Sequence, residues 1–282
     1  MTMDPPRIIS AAGTEFAVHT KGHGVPLLLL HAFPLDHNMW QAQESLARTF
    51  RIIIPDQRGF GDSSPNAPIM SIEGMADDAI AILDALNINE PALVCGVSMG
   101  GYVAQHIAAR HPTRVRGLVL CDTKLDADTP EARKSRAGLS EKIGRRGTRL
   151  LISTMLKTLL AQSAEARRKS RRSEIEALLH QVIERQAVVT VQASLTAMGN
   201  RPDMTASMQA LDIPLLLVVG EEDTFTPPSV MQAIQKLLPD SKLVCIPQAG
   251  HLSPLEAPEV FNTEVINFLH DIESLDAAAS TD

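Results

Sequence analysis

The chain has 282 residues, of which 44% are hydrophobic and 21% charged, with a formal net charge of −7. That balance fits a globular protein with a sizeable core and excludes a disordered or fibrous one. Seven Phe, one Tyr and one Trp leave the core aliphatic and provide no stacking platform for single strands, so no nucleic-acid partner is expected.

The opening MTMDPPR has no basic stretch followed by an apolar one, so no secretory signal is expected and the chain reads as cytoplasmic. Ile8–Ile9 and Phe16–His19 flank Gly13 and predict an antiparallel edge hairpin. Two textures then alternate. Short aliphatic runs read as buried parallel strands: Val25–Leu30, Arg51–Pro55, Ala92–Cys95, Gly117–Cys121, Leu215–Val219 and Lys242–Ile246. Stretches with a period near 3.6 read as helices: Met70–Leu86, Gly100–His111, Ser229–Leu238 and Pro258–Ile272. None of the runs approaches the roughly 20 apolar residues that cross a bilayer, so no membrane is expected. Strand–helix alternation implies a mostly parallel sheet with helices on both faces. It stops between Lys124 and Ala210, where Glu131–Lys142, Thr148–Leu160 and Ser173–Met198 read as helical. Such an insertion belongs over the carboxyl ends of the strands, where open sheets bind ligands. Cys95, Cys121 and Cys245, each within an apolar run, read as buried thiols. The tail from Ser274 is expected to fray.

The sharpest motif is Gly96-Val97-Ser98-Met99-Gly100-Gly101, between a strand run and a helical pattern. G-x-S-x-G in a strand–turn–helix setting holds the serine Oγ out at the top of the sheet, and the small residues relieve crowding in the turn. Its plain alternative is a Gly-rich turn with a helix-capping serine. A serine hydroxyl needs a base and an orienting acid to act as a nucleophile. His251, in Gly250-His251-Leu252-Ser253-Pro254 after a strand run, is the candidate base. Asp223, which ends Gly220-Glu221-Glu222-Asp223, is the candidate acid. Asp122 is its rival after the Gly117–Cys121 run, and Glu222 is a weaker neighbour. Backbone N–H groups of Met99 and of Phe33, in the loop His31-Ala32-Phe33-Pro34-Leu35, are candidates for holding an oxyanion.

Together these segments resemble the α/β-hydrolase family, whose members order the triad Ser, Asp, His along the chain. The resemblance spans essentially the whole sequence and includes the turn Asp56-Gln57-Arg58-Gly59-Phe60-Gly61-Asp62-Ser63. It implies an α/β fold with an eight-stranded, mostly parallel sheet flanked by helices and an all-helical cap inserted after strand 6. Residues 1–123 and 211–282 would form the core, and residues 124–210 the cap. It also implies that Asp56 and Arg58 are scaffold and that His31 shapes the oxyanion loop rather than moving protons. Relatives commonly carry His-Gly where this chain has His31-Ala32. A serine at the elbow disfavours the dehalogenase and epoxide-hydrolase branches, which use aspartate.

The implied reaction is hydrolysis of a carboxylic ester or lactone through an acyl-enzyme. The stretch His31–Trp40 is also similar to cofactor-free haloperoxidases, which are perhydrolases, and to 3-oxoadipate enol-lactonases. Carbon–carbon bond hydrolases share the triad, and a ligand sensor on the same fold is the non-enzymatic alternative. No cofactor is implied, and no His/Asp/Glu cluster has metal-ligand spacing. Between Lys124 and Arg185 there are 15 basic and 8 acidic residues, a net of +7, which leaves −14 for the rest. The densest run is Arg167-Arg168-Lys169-Ser170-Arg171-Arg172. It is either a solvated face or a source of attraction for an anionic substrate. Leu150, Leu151, Leu156, Leu159 and Leu160 read as cap core, with Met155 and Met198 as adaptable pocket residues.

Overall fold

The computed structural model describes residues 5–65, 70–163, 166 and 171–279. Eight strands form one sheet: β1 (Arg7–Ala11), β2 (Thr14–Lys21), β3 (Val25–Leu30), β4 (Phe50–Pro55), β5 (Ala92–Val97), β6 (Val115–Cys121), β7 (Leu215–Gly220) and β8 (Lys242–Ile246). Their spatial order is β1-β2-β4-β3-β5-β6-β7-β8. β1 pairs antiparallel with β2, and β2 antiparallel with β4. Every other pairing is parallel. The central strands β3, β5, β6 and β7 are buried on both faces, which is why they read as unbroken aliphatic runs.

Helices α1 (Ile72–Ala85) and α2 (Met99–Arg110) follow β4 and β5. Between β6 and β7 the chain runs through α3 (Pro130–Arg146), α4 (Arg149–Leu159), α5 (Arg172–Arg185), α6 (Val188–Asn200) and the short α7 (Thr205–Gln209). Three more helices, α8 (Pro228–Leu237), α9 (Ser253–Glu256) and α10 (Pro258–Ala279), complete the body. Local chemistry sets several starts. The Ser71 hydroxyl accepts the Gly74 N–H, and the Thr129 hydroxyl accepts the Ala132 N–H ahead of Pro130, two side-chain N-caps of the usual kind.

Three expectations need correction. The stretch Ser173–Met198 is two helices, α5 and α6, broken at Gln186 and Ala187, whose backbones are extended. The buried Gln186 amide donates to Asp36 and to the Val182 carbonyl and accepts the Gly61 N–H, so tertiary bonds override the helical pattern. Cys245 is exposed, because β8 is the sheet's edge strand; Cys95 and Cys121 are buried. The tail from Ser274 is helical through Ala279 as the end of α10, and residues 280–282 lie outside the described ones. A 3-10 helix at His37–Arg48, capped by Asp36 through the Asn38 N–H, has no counterpart in the aliphatic pattern. Among the described residues, no helix is long and apolar enough to cross a membrane.

Candidate active site

β5 ends in a turn that puts Ser98 at φ 54°, ψ −111°, a backbone conformation that L-residues rarely adopt. The two flanking glycines are steric requirements. A Cβ on Gly96 would lie 2.1 Å from the Gly100 carbonyl oxygen, and one on Gly100 would lie 2.2 Å from that of Leu30. Two bonds clamp the serine from opposite sides: its N–H donates to the Cys121 carbonyl at 3.0 Å, and the Thr123 hydroxyl donates to its carbonyl at 2.9 Å. The Ser98 side chain caps nothing in α2, so the helix-capping alternative does not hold.

The hydroxyl faces a histidine instead. His251 Nε2 lies 2.8 Å from Ser98 Oγ, and His251 Nδ1 lies 2.9 Å from Asp223 Oδ2. A carboxylate can only accept, so Nδ1 carries the hydrogen and Nε2 is left to receive the serine proton. Both partners are buried, His251 5% and Asp223 3% exposed. Burial pushes the Asp223 carboxyl up. The hydrogen bond and charge of His251 and the bonds from Thr226 outweigh that, and they hold it below the usual carboxylate range.

The structure brings Asp223, rather than its rivals, to the histidine. Asp122 Oδ1 accepts the Gly220 N–H, and Oδ2 accepts both the hydroxyl and the N–H of Ser253. It braces the two loops that carry the acid and the base. Its burial, and then the nearby Asp223 charge, push its carboxyl well up. Glu222 accepts the N–H groups of Gln162 and Ser163 and ties the β7 loop to the segment after α4.

Sequence reasoning missed Thr226. Its hydroxyl donates to Asp223 Oδ2, and its N–H and that of Phe225 donate to Oδ1. An Asp followed two and three residues later by amide donors is an Asx-type turn, and the Asp223-Thr224-Phe225-Thr226 spacing was its signal.

Of the candidate oxyanion donors, Met99 directly follows the serine and Phe33 lines the same cavity. Met99 begins α2, so its N–H has no acceptor one turn back in the helix. The loop carrying Phe33 contains a cis Phe33–Pro34 peptide and is closed by the Leu35 N–H on the Ala32 carbonyl at 2.8 Å. Ala32 is absent from the residues with positive φ, so alanine in place of the usual glycine costs no strain. His31 Nε2 accepts the Gln57 N–H and Nδ1 donates to the Ala32 carbonyl. Burial lowers its pKa, so a neutral ring with both nitrogens engaged props the loop.

The turn after β4 is scaffold. Asp56 accepts the N–H groups of His37 and Asp62 and the His37 ring. Arg58 pairs with Asp78. Although the sequence shows no metal-ligand spacing, the fold gathers Asp36, His37 and Asp56 within 4.8 Å of one another. Their side chains are taken up by Asn38, Arg185, Gln186, Asp62 and each other.

Ser98 and His251 open onto a cavity of about 700 Å³. Leu139, Met155, Leu159, Leu195 and Met198, all from the helices between β6 and β7, line its far wall. Both methionines expected there are present, and Leu159 adds to them. Of the basic run, residues 167–170 lie outside the described residues. Arg171 sits 3.6 Å from Glu259, and Arg172 bonds Glu176 and the Ala161 carbonyl. Neither lines this cavity. The arrangement as a whole lets a neutral imidazole take a hydroxyl proton while a carboxylate offsets the resulting charge.

Residues 25–258 match a family model described as alpha/beta hydrolase fold. A thermophilic esterase from Thermogutta terrifontis, solved with malate bound, superposes with a TM-score of 0.90 at 35% identity, covering 95% of this chain and 99% of the other. The enol-lactonase from Burkholderia xenovorans LB400 superposes with a TM-score of 0.84 at 25% identity, covering 94% and 100%. A 2-hydroxymuconate semialdehyde hydrolase of Pseudomonas putida is 30% identical over 286 residues, covering 95% of each chain.

Proposed function

The chain belongs to the α/β-hydrolase fold family, and on that premise we propose that it is a serine hydrolase of carboxylic esters or lactones. One observation carries the reading: the Ser98–His251–Asp223 relay, with contacts of 2.8 and 2.9 Å, set on a strained turn that opens into a cavity. His251 Nε2 removes the Ser98 proton as Oγ attacks the substrate carbonyl. Asp223 keeps the imidazole in the right tautomer and stabilises it when charged. The N–H groups of Met99 and Phe33 receive the developing oxyanion, aided by the positive end of α2. His251 then gives its proton to the leaving alkoxide, and water repeats the sequence on the acyl-enzyme. Residues 124–210 act as a cap over the cleft; the cap residues on the cavity wall support that division.

Attack by peroxide, or a carbon–carbon bond in place of the ester, would use the same machinery. The second is favoured by the likeness to the Pseudomonas putida hydrolase. The esterase and enol-lactonase likenesses support oxygen esters as the first choice, and the malate-bound neighbour fits an anionic substrate. Wild type and Ser98→Ala, tested on p-nitrophenyl acetate and on a panel of esters, lactones and peroxide, decide the matter by product identity. Loss of ester turnover in a folded Ser98→Ala supports the proposal, and undiminished turnover overturns it.

A further inference from the structure

Three cations converge on a single carboxylate in the cavity wall. Lys124 Nζ lies 3.6 Å, Arg136 Nε 2.5 Å and Arg201 Nη1 2.7 Å from Asp128. After burial's upward push is overcome by Arg136 and Arg201, Asp128 is held down to about 2, so it is ionised and offsets one of the three charges. Arg201 is 2% exposed, and its Nη1 and Nη2 also donate to the Met198 and Asp126 carbonyls. It is a buried strut. The surplus therefore falls on Lys124 and Arg136, whose side chains are 28% and 25% exposed and line the cavity that Ser98 opens into. Among the described residues on that lining, Asp128 is the sole carboxylate, and Lys142 adds a cation.

The cluster sits close to the serine. Lys124 follows Thr123, whose hydroxyl donates to the Ser98 carbonyl at 2.9 Å, and Tyr102, whose N–H bonds that carbonyl at 3.2 Å, lines the same cavity. The Arg201 guanidinium lies over the Tyr102 ring at 4.0 Å. Among the described residues Lys124 and Arg136 pair with no carboxylate besides Asp128, and Arg136 otherwise meets the Met198 sulfur at 3.7 Å, so their surplus charge faces the substrate space.

We propose that Lys124 and Arg136 form an anion subsite that binds the free carboxylate of an ester or lactone substrate. A short chain of about three methylenes, as in a glutarate half-ester, would separate that carboxylate from the scissile carbonyl. The proposal rests on the reading of Ser98 as the nucleophile. The apolar residues Leu139, Met155 and Leu195 would cover the intervening methylenes. The rival account is that the cluster only latches the start of the cap to the body.

The test uses mono-p-nitrophenyl glutarate and its methyl-capped counterpart, which differ only in the free carboxylate. Wild type should show the higher kcat/KM on the free acid. Lys124→Met and Arg136→Met should each lower the ratio of the two kcat/KM values by about tenfold, the weight of one charge-assisted bond. Lys124→Arg should restore most of it, which guards against a folding defect. An unchanged ratio, with both substrates slowed alike, makes the cluster a latch and overturns the subsite. A second arm needs no turnover: calorimetry of glutarate on Ser98→Ala and on Ser98→Ala with Lys124→Met. Lys124-dependent glutarate binding supports the subsite even if neither ester is cleaved, in which case the hydrolase reading alone fails. Absence of glutarate binding overturns the subsite and leaves the hydrolase reading standing.

Discussion

Replacing Ser98 by glycine and by alanine separates the strain at the nucleophile from its chemistry. Both variants lose the hydroxyl and its bond to His251, so both should be inactive. They differ in the Cβ. At φ 54°, ψ −111° a Cβ costs about 1–3 kcal/mol, and the Cys121 and Thr123 bonds hold the backbone there in either variant. Glycine removes that cost but loses more freedom on folding, about 0.5–1 kcal/mol. The difference leaves Ser98→Gly more stable than Ser98→Ala by about 1 kcal/mol. In a chain of this size that is a Tm higher by about 2 °C. Urea midpoints and differential scanning calorimetry on the two variants read the difference directly. A glycine variant equal to or less stable than the alanine one would refute the claim that the fold stores strain at this turn.

Other consequences follow from single contacts. Gly100→Ala sets a Cβ against the Leu30 carbonyl oxygen at 2.2 Å, where no flexible side chain can give way. The elbow must shift, so kcat should fall by about 100-fold or more, and retention of wild-type kcat would show the turn to be tolerant. Thr226→Val removes the hydroxyl donated to Asp223 Oδ2. It should lower kcat by about fivefold with KM little changed, and Thr226→Ser should recover it; equal losses in Val and Ser variants would argue against a positioning bond.

The His37–Asp56 pair should show in stability rather than rate. Burial pulls His37 down, but the Asp56 bond and charge win and raise its pKa. Its contribution is therefore complete below the ordinary histidine value of about 6.5 and is lost as pH rises through the higher folded value. Asp56, held below the usual carboxylate range by His37 against the upward push of burial, contributes above about 3.9 and loses its share as pH falls. His37→Asn should flatten the decline in urea midpoint between pH 6 and 8.5. An unaltered slope would show that the pair does not titrate as described.

Much of this was legible in the sequence, because burial on both faces makes a strand a visible aliphatic run. Val25–Leu30 and Lys242–Ile246 match the strands β3 and β8 residue for residue. Ser98, Asp223 and His251 could be singled out because each sits in a loop directly after such a run. Apart from the local turn that joins Thr226 to Asp223, what escaped depends on partners distant in sequence. The break at Gln186 is made by Asp36 and Gly61, more than a hundred residues away. The exposure of Cys245 follows from the position of β8 at the sheet edge, which strand texture does not encode. Asp122 and Asp223 both end strands, and only the fold commits the first to Gly220 and Ser253. The charge surplus of the helical insertion was visible as a count. Which of those charges reach the cavity was not: Lys124, Arg136 and Lys142 line it, whereas Arg171 and Arg172 of the dense run do not.

The central claim is that Ser98 is a nucleophile activated by His251. Incubation with a fluorophosphonate, followed by intact-mass and peptide mass spectrometry, tests it without knowledge of the natural substrate. A single adduct on the peptide carrying Ser98, absent from Ser98→Ala and formed at least about 100-fold more slowly in His251→Gln, is the expected result. An unlabelled Ser98 in the folded wild-type protein, or labelling whose rate ignores His251, would contradict it.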